Sequence, residues 1–161
     1  AAFCLHLPYP KLALKGLNKI IPKDLNPENK ERLTNNFDAS ITYSRQIGNI
    51  YTGSLYLGLL SLLEQSQDLK AGDKIGFFSY GSGAVSEIFS GRLVEGYKDL
   101  LRTDRLDTFA KRQQLSVADY EKLFYEEAQL DDTGSTHFAN YQTGAFRLAE
   151  ISEHQRIYKG N

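Results

Sequence analysis

The alternation of apolar and polar residues in the first third of the chain predicts a strand followed by helices. Residues 3–7 form an apolar run of strand length. Pro10 then stands where a first helical turn tolerates proline, and the apolar helix that follows should end before Pro22. Asn26, followed by a proline and an acid, is a second helix start, and this helix is expected to stop near residues 35–36.

The middle of the chain carries the strongest patterns. Residues 37–46 are predicted as a further helix that Gly48 breaks, and residues 52–65 as a leucine-rich helix that should lie deep in a core. Residues 74–80 read as a buried strand, and residues 84–89 as a second strand after a tight loop. Central strands covered by apolar helices are typical of an α/β fold with a mixed sheet.

The last third of the chain is more polar. Residues 99–113 are charged and predicted to be helical, and Ser116 is the N-cap of another helix. Residues 146–151 and 156–158 are predicted to pair as a terminal hairpin.

Composition narrows the function classes. The chain of 161 residues fits one domain with a real core, and its net charge of −1 does not suggest a general nucleic-acid surface. No apolar run has the length of a membrane span. The single cysteine, Cys4, excludes an internal disulfide and is compatible with a reducing cytoplasm. Because the sequence opens inside a strand and contains no methionine, we expect it to be part of a longer polypeptide.

Two residues of the first strand could carry chemistry. His6 could hold a proton or polarise a carbonyl, or it could be a core histidine with one hydrogen bond. Cys4 lies on the same face of the strand, but among apolar neighbours it is more simply a small buried hydrophobe than a nucleophile. No spacing of histidines, cysteines and acids indicates a metal site.

Further residues stand where a ligand could bind. Lys11 and Lys15 share a helical face and could hold phosphates, or they could form a solvated lysine face. Asn49 precedes the leucine-rich helix and could donate to a carbonyl, or it could serve turn and capping chemistry. Ser82 lies between two glycines, in a loop that could offer amide hydrogens to an anion or be a plain tight turn.

Three segments in order resemble the hydroxymethylglutaryl-CoA synthases of the thiolase superfamily. They are FCLHLPYPKLALKGL with its histidine, GNIYTGSLYLGLLSLLE with its asparagine, and GFFSYGSGAVSEIFSG with its glycine-flanked serine. The resemblance covers residues 2–97 and resumes more weakly in the terminal stretch, which is similar to the compact bacterial-type enzymes. It implies that residues 1–161 are the C-terminal, thiolase-like half of a longer enzyme, with layered αβα architecture. Residues from about 99 to 132 would be a more divergent helical excursion.

The resemblance also implies a reaction, the condensation of acetyl-CoA with acetoacetyl-CoA in the mevalonate pathway, without a cofactor. His6 would help to bind and polarise the acetoacetyl carbonyl. Lys11 and Lys15 would contact CoA, and Asn49 and Ser82 would position the acyl group. The family's nucleophilic cysteine and general-base glutamate belong to an N-terminal half that this sequence lacks. The chain alone should therefore be inactive, and the full-length enzyme should be a cytoplasmic homodimer.

Two other interpretations stay open at this point. A relative of the ketoacyl-carrier-protein synthases would also use a histidine and an asparagine around an acyl thioester. A non-enzymatic module that binds anions or nucleotides could instead be built on the loop Gly81-Ser82-Gly83. Its ligand binding would survive the loss of His6 and Asn49, whereas an acyl-transfer site would not.

Overall fold

The computed structural model describes residues 1–7, 9–81, 83–139 and 144–160. The chain divides into two compact units, Ala1–Thr103 and Asp104–Asn161. Within the described residues, no helix combines the length and the hydrophobicity that crossing a bilayer requires. Every residue predicted to take part in a site belongs to the first unit.

The first unit is built around a three-stranded mixed sheet. Its elements are β1 (Ala2–Leu5), α1 (Pro10–Ile20), α2 (Pro27–Ile47), α3 (Gly53–Gln65), β2 (Lys74–Gly81), β3 (Val85–Arg92) and a short 3₁₀ helix (Tyr97–Leu100). The strand order is β1-β2-β3, with β1 parallel to β2 and β3 antiparallel to it. The predicted mixed sheet is confirmed, as are the strands and the leucine-rich helix within one to three residues at their ends.

Helices cover both faces of this sheet. Successive side chains of a strand point to opposite sides, so an apolar strand such as β1 presents apolar side chains to both faces. On one face, Cys4 packs in a buried cluster with Leu55 and Leu62 of α3. On the other face, Leu5 packs with Leu17 of α1. Burial of a leucine side chain contributes roughly 1.5–3 kcal/mol, so these contacts account for much of the attachment of the helices. The predicted layered αβα arrangement is confirmed.

Helix α2 corrects one prediction. It runs unbroken through 21 residues, where the sequence pattern predicted two helices with a stop near residues 35–36. Asn36 is buried inside the helix, where its amide donates to the carbonyl of Ala1 at 3.2 Å and its Oδ1 accepts from Ser66 at 2.6 Å. Tertiary partners thus satisfy a side chain that locally favours a turn, and the helix continues. The predicted start is confirmed, since Asn26 is the N-cap.

The second unit combines two short helices with an antiparallel sheet. Its elements are α4 (Arg105–Ala110), α5 (Val117–Tyr125), β4 (Thr136–His137), β5 (Phe146–Ser152) and β6 (Gln155–Gly160). The strand order β4-β5-β6 includes the predicted terminal hairpin, which is confirmed. Ser116 caps α5 as predicted, by accepting a hydrogen bond from the backbone of Asp119 at 3.1 Å.

The helix predicted over residues 99–113 is wrong in extent. The 3₁₀ helix ends at Leu100, the backbone of Leu101 is extended, and the backbone of Arg102 donates to Glu64 at 3.1 Å before α4 begins. That tertiary bond holds the chain out of helical geometry. Both α4 and α5 lie within residues 99–132. That this range is an excursion from one domain over residues 1–161 stays a prediction.

Candidate functional site

His6 directly follows β1 and extends its ladder, because its backbone donates to the carbonyl of Phe78 at 2.8 Å. The side chain is half-buried, and its Nδ1 is buried without a hydrogen-bond partner among the described residues. A core histidine would normally satisfy that atom, since an unpaired buried nitrogen is unfavourable. The arrangement therefore leaves a ring nitrogen that no structural hydrogen bond occupies.

A cleft of about 660 Å³ lies between α1 and the end of β2, with His6 in its lining. Its apolar wall includes Leu5, Ala13 and Phe78. Lys15 and Lys19 line it as well, and no aspartate or glutamate does among the described residues. An apolar wall beside lysine ammonium groups, with no carboxylate in the described lining to neutralise them, suits a ligand that has both an apolar and an anionic part.

The lysines of α1 recur every four residues at positions 11, 15 and 19, and all three are exposed. Lys15 and Lys19 line the cleft, whereas Lys11 is not among its lining residues. Sequence reasoning identified the first two lysines and missed Lys19. The signal was present, because Lys19 repeats the spacing that joins Lys11 to Lys15 on one helical face.

Asn49 lies in the turn between α2 and α3, after Gly48, which ends α2 with a φ of 86°. Its Oδ1 accepts hydrogen bonds from the backbone of Tyr51 at 2.8 Å and from the hydroxyl of Ser54 at 3.2 Å. The carbonyl oxygen thus serves turn chemistry, while the exposed amide group has no acceptor among the described residues. Asn49 is not among the residues that line the cleft at His6.

Ser82, the remaining predicted site residue, lies outside the described residues. Its neighbour Gly81 ends β2, and Gly83 has a φ of 79°, a left-handed conformation that favours glycine. Tyr80, which directly precedes Gly81 on β2, lines the cleft and meets the ring of His6. The structure therefore joins His6 and Lys15 in one cleft and adds Lys19 and Tyr80 to them.

Cys4 is unsuited to attack. It is 1% exposed, and burial raises the pKa of its thiol to about 12. A nucleophilic cysteine needs a thiolate near neutral pH, which cationic neighbours or a helix start would favour. Its interpretation as a buried hydrophobe agrees with this environment. Among the described residues, no group of three or more histidines, cysteines and acids could hold a metal ion.

Comparison with protein families gives a specific result. The model of the family described as the C-terminal part of hydroxymethylglutaryl-coenzyme A synthase matches residues 17–160. This range includes Asn49 and begins after His6, Lys11 and Lys15.

Individual proteins agree with the family match. A hydroxymethylglutaryl-CoA synthase of Enterococcus faecalis is 47% identical over 131 residues, which make up 81% of this chain and 34% of the relative. The chain thus spans about a third of the length of that curated relative. A crystal structure of an HMG-CoA synthase complexed with CoA has a TM-score of 0.88 and 65% identity, covering 100% of this chain and 42% of the other. A Streptococcus mutans UA159 crystal structure gives a TM-score of 0.85 and 62% identity, with coverages of 100% and 43%. The predicted thiolase-like α/β fold is confirmed by these matches.

Proposed function

The chain belongs to the hydroxymethylglutaryl-CoA synthase family, and from this premise we propose that it forms part of an enzyme that condenses acetyl-CoA with acetoacetyl-CoA. With one water consumed by hydrolysis of the acyl-enzyme thioester, the products would be hydroxymethylglutaryl-CoA and free CoA. We further propose that the enzyme acts in the cytoplasm, in the mevalonate route to isoprenoids, and that it requires no cofactor. The observation that carries the proposal is the cleft that has both His6 and Lys15 in its lining.

His6 is proposed to bind and polarise the ketone of acetoacetyl-CoA. When the acetyl carbanion attacks this carbonyl carbon, the new C–C bond forms, the C=O π bond breaks and its electron pair makes the oxygen increasingly negative. A hydrogen-bond donor at that oxygen therefore lowers the barrier. An imidazole can supply that donor and exchange a proton near neutral pH. Support comes from its half-buried position in the lining of the cleft, beside Lys15.

The lysines of α1 are proposed to hold the phosphate groups of CoA. Lys15 and Lys19 line the cleft that contains His6, so anionic groups bound there would lie along α1 while the acyl end approaches the histidine. Ammonium groups form strong, charge-assisted hydrogen bonds with phosphate oxygens. Lys11 is kept as a weaker contact, because it does not line the cleft. Asn49 and Ser82 are proposed to position the acyl group.

The acyl-carrying nucleophile is proposed to come from outside these 161 residues. Cys4 is the only cysteine of the sequence, and its buried thiol, with a pKa of about 12, is a poor nucleophile. The general-base glutamate of the family is likewise assigned to the part of the full-length polypeptide that this chain does not match. The chain alone is therefore expected to be inactive, and the full-length enzyme is proposed to be a homodimer.

The test is to assay the full-length polypeptide that contains this sequence for release of free CoA from acetyl-CoA plus acetoacetyl-CoA. His6→Ala should lower kcat by about a hundredfold or more. His137→Ala is the matched control, because this exposed histidine pairs with Glu150 in the other unit and should leave kcat unchanged. Thermal unfolding of each variant distinguishes lost chemistry from lost folding.

Three results would redirect the assignment. Activity with carrier-protein thioesters, but not with CoA thioesters, would favour a ketoacyl-carrier-protein synthase relative. Full activity in His6→Ala would remove the histidine from the mechanism. Ligand binding that survives both His6→Ala and Asn49→Ala, in a protein without condensation activity, would favour the anion-binding module.

A further inference from the structure

We propose that Ser54 is a positioning residue that orients the carboxamide of Asn49 toward the acyl group. This inference rests on the proposed function, since Asn49 contacts an acyl group only if the protein handles one. Ser54 is 0% exposed in the first turn of α3, five residues after Asn49. Its hydroxyl contacts that side chain at 3.2 Å.

The hydrogen bonds in this turn have only one consistent direction. The backbone N–H of Tyr51 can only donate, so the Asn49 atom that it meets at 2.8 Å must be the oxygen Oδ1. The hydroxyl of Ser54 accepts from the backbone of Ile50 at 3.0 Å, which leaves its own hydrogen free to donate to the same Oδ1. Two donors therefore fix the oxygen of the carboxamide.

Fixing the oxygen also fixes the nitrogen, because the carboxamide is planar. Nδ2 then carries two hydrogens on an exposed side chain, and no described residue accepts them. An amide held in this way is a preorganised donor, which suits a thioester or ketone oxygen and not a cation. Without Ser54 only the N–H of Tyr51 would hold the oxygen, and the direction of the amide hydrogens would be less tightly fixed.

The backbone around the turn supports the same assignment. Tyr51 is a non-glycine residue with a φ of 56°, in the left-handed region that tyrosine rarely occupies. Its N–H donates to Asn49 in this conformation, and the residue is 79% exposed, so core packing does not explain the strain. Strained backbone of this kind clusters at functional sites, where the surrounding bonds maintain it.

The test compares Asn49→Asp, Ser54→Ala and the double variant in the full-length enzyme. Aspartate keeps an oxygen for Tyr51 and Ser54 but removes the amide donor, so Asn49→Asp should fold normally and lose about a hundredfold in kcat. Ser54→Ala should lose about tenfold, because it frees the orientation of the donor without removing it. The double variant should be no worse than Asn49→Asp alone.

Ser61→Ala is the matched control. Ser61 is also 0% exposed on α3, but its hydroxyl bonds the backbone of Ala39 and Tyr43 in α2. Its loss should lower stability and leave kcat per folded molecule unchanged. The inference is wrong if Ser54→Ala keeps full kcat, or if Ser61→Ala loses as much kcat as Ser54→Ala does. It is also wrong if the double variant loses kcat by the product of the two single losses. An inactive wild-type enzyme would instead overturn the proposed function, and the inference with it.

Discussion

Tyr80 meets His6 edge to face, with ring centroids 6.2 Å apart and ring planes inclined by 69°. Tyr80 belongs to β2, whereas His6 follows β1, so the parallel pairing of the two strands creates the contact. Edge-to-face aromatic pairs contribute about 0.5–1.5 kcal/mol beyond their buried area. Because Nδ1 of His6 has no described hydrogen-bond partner, this aromatic contact is an important restraint on the ring.

Removing the aromatic ring at position 80 should therefore leave the imidazole ring of His6 freer to change its orientation. We expect Tyr80→Ala to lower kcat/KM for CoA release about five- to tenfold, while Tyr80→Phe retains most of the activity. Initial rates over a range of acetoacetyl-CoA concentrations measure the effect. Tyr56→Ala is the control, since this tyrosine of α3 is also exposed and does not line the cleft. Equal losses in the phenylalanine and alanine variants would point to the hydroxyl and not to the ring.

The cleft-lining lysines should act on substrate binding more than on chemistry. We expect Lys15→Ala and Lys19→Ala each to raise KM for CoA thioesters about tenfold with little change in kcat, because phosphate contacts are made equally in the ground state and the transition state. Lys11→Ala should have a smaller effect, since Lys11 does not line the cleft. Steady-state kinetics at low and high ionic strength measure both effects, which salt should diminish.

Lys23→Ala is the control for charge alone. Lys23 is exposed and lies after the end of α1, outside the cleft. A rise in KM as large as that of Lys19→Ala would mean that general charge, and not the cleft, attracts the substrate.

The sheet has a tight packing position at Gly76. Gly76 lies opposite Phe3 in the parallel register, and a Cβ at position 76 would stand 2.5 Å from the ring of Phe3. Gly76→Ala should therefore lower the free energy of unfolding by about 1–3 kcal/mol. Gly81→Ala on the same strand should have a much smaller effect, because no described residue beyond its chain neighbours comes within 4 Å of a Cβ there. Urea unfolding measures both, and equal losses would contradict the steric explanation.

Local signals were sufficient for much of the fold. The N-caps Asn26 and Ser116 act within a few residues of themselves, so sequence reasoning located those helix starts correctly. The continuity of α2 could not be predicted, because the partners of Asn36 are Ala1 and Ser66, which are distant in sequence. Long-range partners also ended the helix predicted after residue 99, where Glu64 binds the backbone.

In the candidate site, too, residues with a local sequence signal were predicted, and residues that depend on long-range contacts were not. His6 and Lys15 were identified from their own segments, and the structure brings them into one cleft. Tyr80 was missed because its contact with His6 exists only once β1 and β2 pair. Ser54 was missed because a serine in a helical segment has no distinctive pattern until its hydrogen bond to Asn49 is known. The roles of these residues in catalysis stay predictions.

The buried thiol of Cys4 should make stability depend on pH in alkaline solution. Burial raises its pKa from 9.0 to about 12, so the folded state keeps the thiol protonated at pH values where the unfolded chain has already released the proton. The resulting stability is fully present below pH 9 and is lost as pH rises toward 12. We expect wild-type protein to lose up to about 1.4 kcal/mol per pH unit more than Cys4→Ala in this window. Urea unfolding of the two proteins in parallel measures the difference between their free energies of unfolding at each pH. Tyrosines and lysines that titrate in this range are present in both proteins, so their contributions cancel in the difference. Parallel curves, or rapid alkylation of Cys4 in the folded protein at pH 8, would show that the thiol is accessible and would reopen it as a nucleophile.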